Sequence, residues 1–101
     1  MLAEFSIAPF DKGESLSKYV AEIIDLIDKS GLNYRLGAMG TTVEGDFDEV
    51  FDLIKVCHLK MREFSRRVIT HIAIDDREGA VNRLEEKPRS IEKRLGKKLK
   101  R

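Results

Sequence analysis

The sequence predicts an α+β domain: a four-stranded antiparallel sheet with two helices on one face and a further helix at the C-terminus. Three observations predict it. Segments of strand-like alternation and helix-like periodicity follow one another in the order β-α-β-β-α-β, with a last short helix. The chain has 101 residues, the length of one domain, so residues 1–101 are taken as a single unit. Its composition, 42% hydrophobic and 37% charged, is that of a folded chain and not of a disordered one.

The first strand is "LAEFSIAP", with Ala3, Phe5 and Ile7 on one side and Glu4, Ser6 and Ala8 on the other. Pro9 ends it, and "FDKGE" follows as a loop with Ser15 as the expected helix cap. The first helix carries Leu16, Tyr19, Val20, Ile23, Ile24 and Ile27, an apolar stripe at helical spacing, and Gly31 stops it. "NYRLGAM" is a second strand with Tyr34, Leu36 and Ala38 inward, and "GTTVEG" a third. Gly37 and Gly40 permit a tight connection between them if its backbone needs positive φ. Asp46 or Asp48 caps the second helix, whose stripe is Phe47, Val50, Phe51, Ile54, Cys57 or His58, and Met61. The fourth strand, "RVITHIAID", puts Val68, Thr70, Ile72 and Ile74 on one face and Ile69, His71, Ala73 and Asp75 on the other. The last helix is expected from about Pro88, with Ile91, Leu95 and Leu99 spaced four apart. This order is that of a split βαβ, ferredoxin-like domain.

Charge is unevenly placed. Residues 1–86 hold 11 Lys/Arg and 17 Asp/Glu, whereas residues 87–101 hold 8 bases and one acid. An acidic body therefore carries a basic C-terminal helix or tail. That tail is expected to dock on an acidic neighbouring subunit; nucleic acid and simple solvation are its other readings. No apolar run is long enough to span a bilayer, and "MLAEFSIAPF" lacks the basic start of a signal peptide. The single Cys57 cannot form an intrachain disulfide, so a cytoplasmic setting is expected.

In a ferredoxin-like domain both main helices cover one sheet face. Parity puts Glu4, Ser6, Arg35, Thr42, Glu44, Ile69 and His71 on the other, with Leu2, Ala8 and Ala73. Such a mixed face suits burial against a second subunit. A buried Glu44 then needs a partner, from Arg35, His71 or a cationic ligand.

The residues "MGTTVEGDFDEVFDLIKVCH", "RVITHIAIDDR" and "EKPRSIEKRLGKKL" together resemble the thiamine-binding protein family of small ferredoxin-like proteins. The resemblance covers nearly the whole chain. Its most specific pieces are Met39-Gly40-Thr41 with Glu44, the Cys57-His58 pair, and Asp75-Asp76-Arg77. The chain departs from it at Pro88, where family members more often carry an aliphatic residue. The resemblance implies a homotetramer, a dimer of dimers, that binds thiamine or its hydroxymethylpyrimidine moiety without catalysis. The residues expected to hold that ligand are Ser6, Met39, Thr41, Thr42 and Glu44. Hydroxyls would complete a polar edge, Met39 would give a soft apolar contact, and Glu44 would meet the thiazolium charge or the amino group. A structural ion pair across a subunit interface is the rival role for Glu44.

Other constellations point less far. Two histidines and one thiol do not make a metal spacing, so no metal is expected. Asp75-Asp76 could hold a cation, or form a turn with Arg77 paired locally. Ser15 and Ser17 could receive a phosphate, or act as ordinary caps. No nucleophile motif or phosphate loop is present, so no enzyme is expected. Nucleic acid is an unlooked-for partner, because the outward face lacks an aromatic pair for base stacking. Two alternatives stay open: a structural or regulatory oligomer with a different small-molecule ligand, and weak nucleic-acid binding through the tail.

Overall fold

The computed structural model describes residues 1–101. Its elements are β1 (Leu2–Pro9), α1 (Ser17–Lys29), β2 (Asn33–Leu36), β3 (Thr41–Glu44), α2 (Phe47–Phe64), β4 (Val68–Asp75) and α3 (Arg83–Leu95). The four strands form one sheet in the order β2-β3-β1-β4, every pair antiparallel. This is the ferredoxin-like arrangement that the periodicities predict.

The sheet faces follow from parity. Ala3, Phe5, Ile7 and Val43 point to α1 and α2, where Ile23, Ile27, Val50, Leu53, Ile54, Cys57 and Met61 complete the core. Ile27 and Val43 are fully buried, and each such side chain contributes about 1.5–3 kcal/mol by leaving water. The α2 stripe is rotated from the expected one. Leu53 is inside, while Phe47 is exposed and stacks on Phe51. Cys57 takes the interior position, and His58 Nδ1 instead meets Thr70 Oγ1 at 2.6 Å.

Asp46 is the α2 cap: its backbone N–H donates to Glu49 Oε1 at 3.1 Å in a capping box. Ser15 does not cap α1. Leu16 holds that position, and its carbonyl accepts from the Tyr19 and Val20 N–H groups, both at 3.0 Å.

The largest departure concerns α3. It begins at Arg83, not near Pro88, which lies inside the helix. A proline there has no N–H for the Leu84 carbonyl, a loss that normally disfavours helix interiors. The start is held from a distance. The Glu44 carboxylate on β3 accepts from the Arg83 N–H at 2.7 Å and the Leu84 N–H at 3.1 Å. Two donors that no preceding turn can satisfy are thus met by an acid at the positive end of the helix. α3 then lies over the outer face at β2 and β3, with Leu84 buried. Gly96, at φ +69°, ends it in the left-handed conformation. The tail turns back on the helix: the Leu99 N–H donates to Glu92 at 2.8 Å, and Arg101 reaches Glu85 and Glu92 at 3.2 and 3.1 Å.

A candidate ligand cavity beside the β2–β3 turn

β1 is twice as long as β3, and the mismatch creates a notch. The β1–β3 register stops at the pair Phe5↔Thr41. Beyond it, the backbone edge of Ser6–Pro9 that would face β3 has no strand partner, because the chain has already turned away through Gly37–Gly40. Polar backbone groups at such an edge are open to another hydrogen-bonding partner.

The turn is tight for a reason other than the expected one. Neither Gly37 nor Gly40 has positive φ. What both supply is room. A Cβ on Gly37 would lie 2.8 Å from the Gly40 carbonyl oxygen, and one on Gly40 would lie 3.1 Å from the Phe5 carbonyl oxygen. The Gly37 N–H donates to that Gly40 carbonyl at 2.9 Å and closes the loop. β2 therefore ends at Leu36, and Ala38 and Met39 belong to the turn instead of to the strand.

A cavity of about 170 Å³ occupies the notch. Its walls are β1 at Phe5–Ile7, the apolar face of α1 from Val20 to Ile27, and the turn from Leu36 to Thr41. Three of the five expected site residues meet here: Ser6, Met39 and Thr41. Met39 is 91% exposed, a large apolar side chain standing at the rim with no packing partner. Ser6 and Met39 also border a second, shallower hollow on the outer face, with Glu4, His71 and Ala73. The hydroxyls engaged in hydrogen bonds within the chain are those of Ser30, Tyr34, Ser65, Thr70 and Ser90. Those of Ser6 and Thr41 are not among them. The cavity thus combines an apolar body with the unengaged Thr41 hydroxyl and a free strand edge at Ser6, the usual make-up of a small-molecule site.

Thr42 and Glu44 lie elsewhere. Both point to the outer face, where Thr42 is paired in register with Glu4 and Arg35. Glu44 is spoken for by α3, as described, and Arg35 pairs with Glu85 at 2.6 Å and not with Glu44. Val20, Ile23 and Ile24 line the cavity but are not among the expected site residues; their helical spacing marks them in the sequence only as core.

Cys57 is buried against the sheet, and burial pushes its thiol up to about 11. It stays protonated near neutrality, which suits packing and not nucleophilic work. No group of three His, Cys, Asp or Glu side chains converges anywhere in the chain. No helix is long and apolar enough to cross a membrane.

Comparison with known proteins finds relatives in both sequence and fold. Residues 3–92 match the model of a family described as thiamine-binding protein. A UPF0045 protein of Methanocaldococcus jannaschii is 38% identical over 91 residues, spanning 90% of this chain and 91% of its own. A crystal structure of a Methanocaldococcus jannaschii protein superposes with a TM-score of 0.83 at 39% identity, covering 89% of this chain and 93% of that one. A candidate thiamine biosynthesis/salvage protein of Thermotoga maritima superposes with a TM-score of 0.79 at 27% identity, covering 89% and 96%.

Proposed function

This chain belongs to the thiamine-binding protein family, and from that premise we propose that it binds thiamine reversibly through the hydroxymethylpyrimidine half, without catalysis. The observation that carries the reading is the notch cavity, where the Thr41 hydroxyl and the unpaired β1 edge at Ser6 border an otherwise apolar chamber. An aminopyrimidine ring asks for that combination: two flat apolar faces and an edge of donors and acceptors. The size points the same way. At about 170 Å³ the cavity is smaller than the roughly 300–1,000 Å³ of whole drug-sized ligand sites, and it suits one ring.

The remainder of the ligand would extend past Met39 to the rim. There a second copy of the chain would complete the enclosure, in the homotetramer, a dimer of dimers, that we include in the proposal. The exposed stretch of outer face at Glu4, His71 and Ala73 supports a second copy as the cover. Glu44 takes no part in this version of the site, because its oxygens cap α3.

Calorimetric titration of the oligomer with thiamine, hydroxymethylpyrimidine and thiamine phosphate tests the reading. Saturation by the first two with similar affinity is expected, with at least a tenfold loss in Thr41→Val. Absence of heat and of thermal shift with all three would sink it and favour an oligomer with a different small-molecule ligand.

A further inference from the structure

Asp75-Asp76-Arg77, one of the distinctive motifs of the sequence, plays no part in the notch. It leaves β4 at the opposite end of the sheet, where Leu2 is paired with Glu44 on one side and Asp75 on the other. Leu2 and Ser6 are four residues apart on β1, so the two places are about 13 Å apart at 3.3 Å per residue. The first turns of α3 close this end. They leave a cavity of about 220 Å³ with Leu2 and Ala80 in its wall and four charged side chains around it: Asp75, Arg77, Arg83 and Lys87.

The charges do not balance. Lys87 pairs with Asp75, whose carboxyl is held below its usual value first by that hydrogen bond and further by Arg83 and Arg77. The one acid is thus ionised and already taken. The guanidiniums that find partners in the chain are those of Arg35, Arg89 and Arg101. Arg77 and Arg83 are not among them, so the local turn pairing expected for Arg77 does not form. Three cations against one carboxylate leave two positive charges in a concavity, where field lines concentrate.

We propose that Arg77, Arg83 and Lys87 form a binding site for a phosphate-type oxyanion, distinct from the notch cavity. A dianion matches the surplus of two charges, and the guanidinium fork matches a tetrahedral oxyanion through paired N–H donors. The N-terminus of α3 contributes little here, because Glu44 already occupies its first free donors. The anion is either inorganic phosphate or the phosphate of a small organic monoester.

The test is titration of the ¹⁵N-labelled full chain, followed by amide shifts, with inorganic phosphate, glycerol phosphate and acetate at fixed ionic strength. Saturable shifts centred on Arg77–Lys87 are expected with both phosphates and not with acetate. Equal affinities assign the free ion as the ligand; a tighter glycerol phosphate assigns an organic monoester. The R77A/R83A double variant should lose at least tenfold in affinity while keeping its thermal midpoint and its amide positions at Gly37–Thr41. R77K/R83K, which keeps charge without the fork, should fall between. Shifts that rise linearly with phosphate, match those of acetate, or persist in R77A/R83A overturn the site. None of these readouts depends on whether thiamine binds.

Discussion

Over β2 and β3 the outer face of the sheet is roofed by α3; over β1 and β4 it is bare except at the end where Lys87 of α3 pairs with Asp75. Strand alternation assigns both halves the same kind of surface, a mixture of acids, hydroxyls and small residues. The structure treats them differently. In the roofed half, Arg35, Thr42 and Glu44 are each half-buried, and two of them are bonded to α3. In the bare half, Glu4, His71 and Ala73 are exposed, and none contacts a helix through a hydrogen bond or ion pair. The difference teaches that the outward polar residues of a sheet can be intramolecular anchors, and that only those left over are available to a partner.

Breaking the roof should give the largest effects. Leu84 is the one buried residue of α3, and Leu84→Ala is expected to cost about 2–3 kcal/mol in denaturant unfolding, whereas Leu95→Ala, 56% exposed, should be nearly silent. Glu44→Ala removes a carboxylate that holds two backbone donors and should cost about 1–2 kcal/mol. Its sharper signature is faster hydrogen exchange at Arg83–Lys87 with the sheet core unaltered. Arg35→Ala breaks a pair whose two side chains are more than a third exposed, so the cost should stay below about 1 kcal/mol and shrink as salt rises. On the bare half, Ala73→Arg should leave chain stability within about 0.5 kcal/mol. Light scattering would show its effect instead, as an assembly of lower mass than the parent; an unchanged mass would place the second copy elsewhere.

The smallest expected effect is a pH dependence within the roof. Glu85 is held below its ordinary value chiefly by the hydrogen bond from Arg101, and Glu92 chiefly by the Leu99 N–H. Carboxyls depressed in the folded state add stability above their unfolded pKa and lose it as pH falls through the lowered folded value. The tail should therefore loosen from α3 below the ordinary carboxylate range, read by amide shifts at Leu99–Arg101, before the sheet responds. Shifts that move together with those of β1 would contradict a separate event.

Nearly all of the fold was legible because it is local. The stripe of α1 and the alternation of β1 and β4 are periodic facts of the sequence, and the order of elements follows from them. What was hidden depends on residues far apart in the chain. Asn82 and the first-turn acids Glu85 and Glu86 do mark a helix start locally, but Asn82 makes no side-chain cap, and the acid that caps the helix is 39 residues away on β3. The same acid was expected to serve a ligand or a subunit contact for want of any visible intramolecular use. The cavity was half legible. Met39 lies in a turn whose glycines draw the eye and Thr41 directly follows it, while Val20 and Ile24 are indistinguishable by pattern from the core residues beside them. The notch itself comes from unequal strand lengths, which show only once β2 is seen to stop at Leu36.

β3 has only four residues, and its two ends have different employers. Thr41 is in the wall of the notch cavity, and Glu44 holds the first turn of α3. Val43, fully buried between them, keeps the strand stiff. The cavity wall and the α3 cap are thus two ends of one four-residue run of backbone, clamped between β1 and β2.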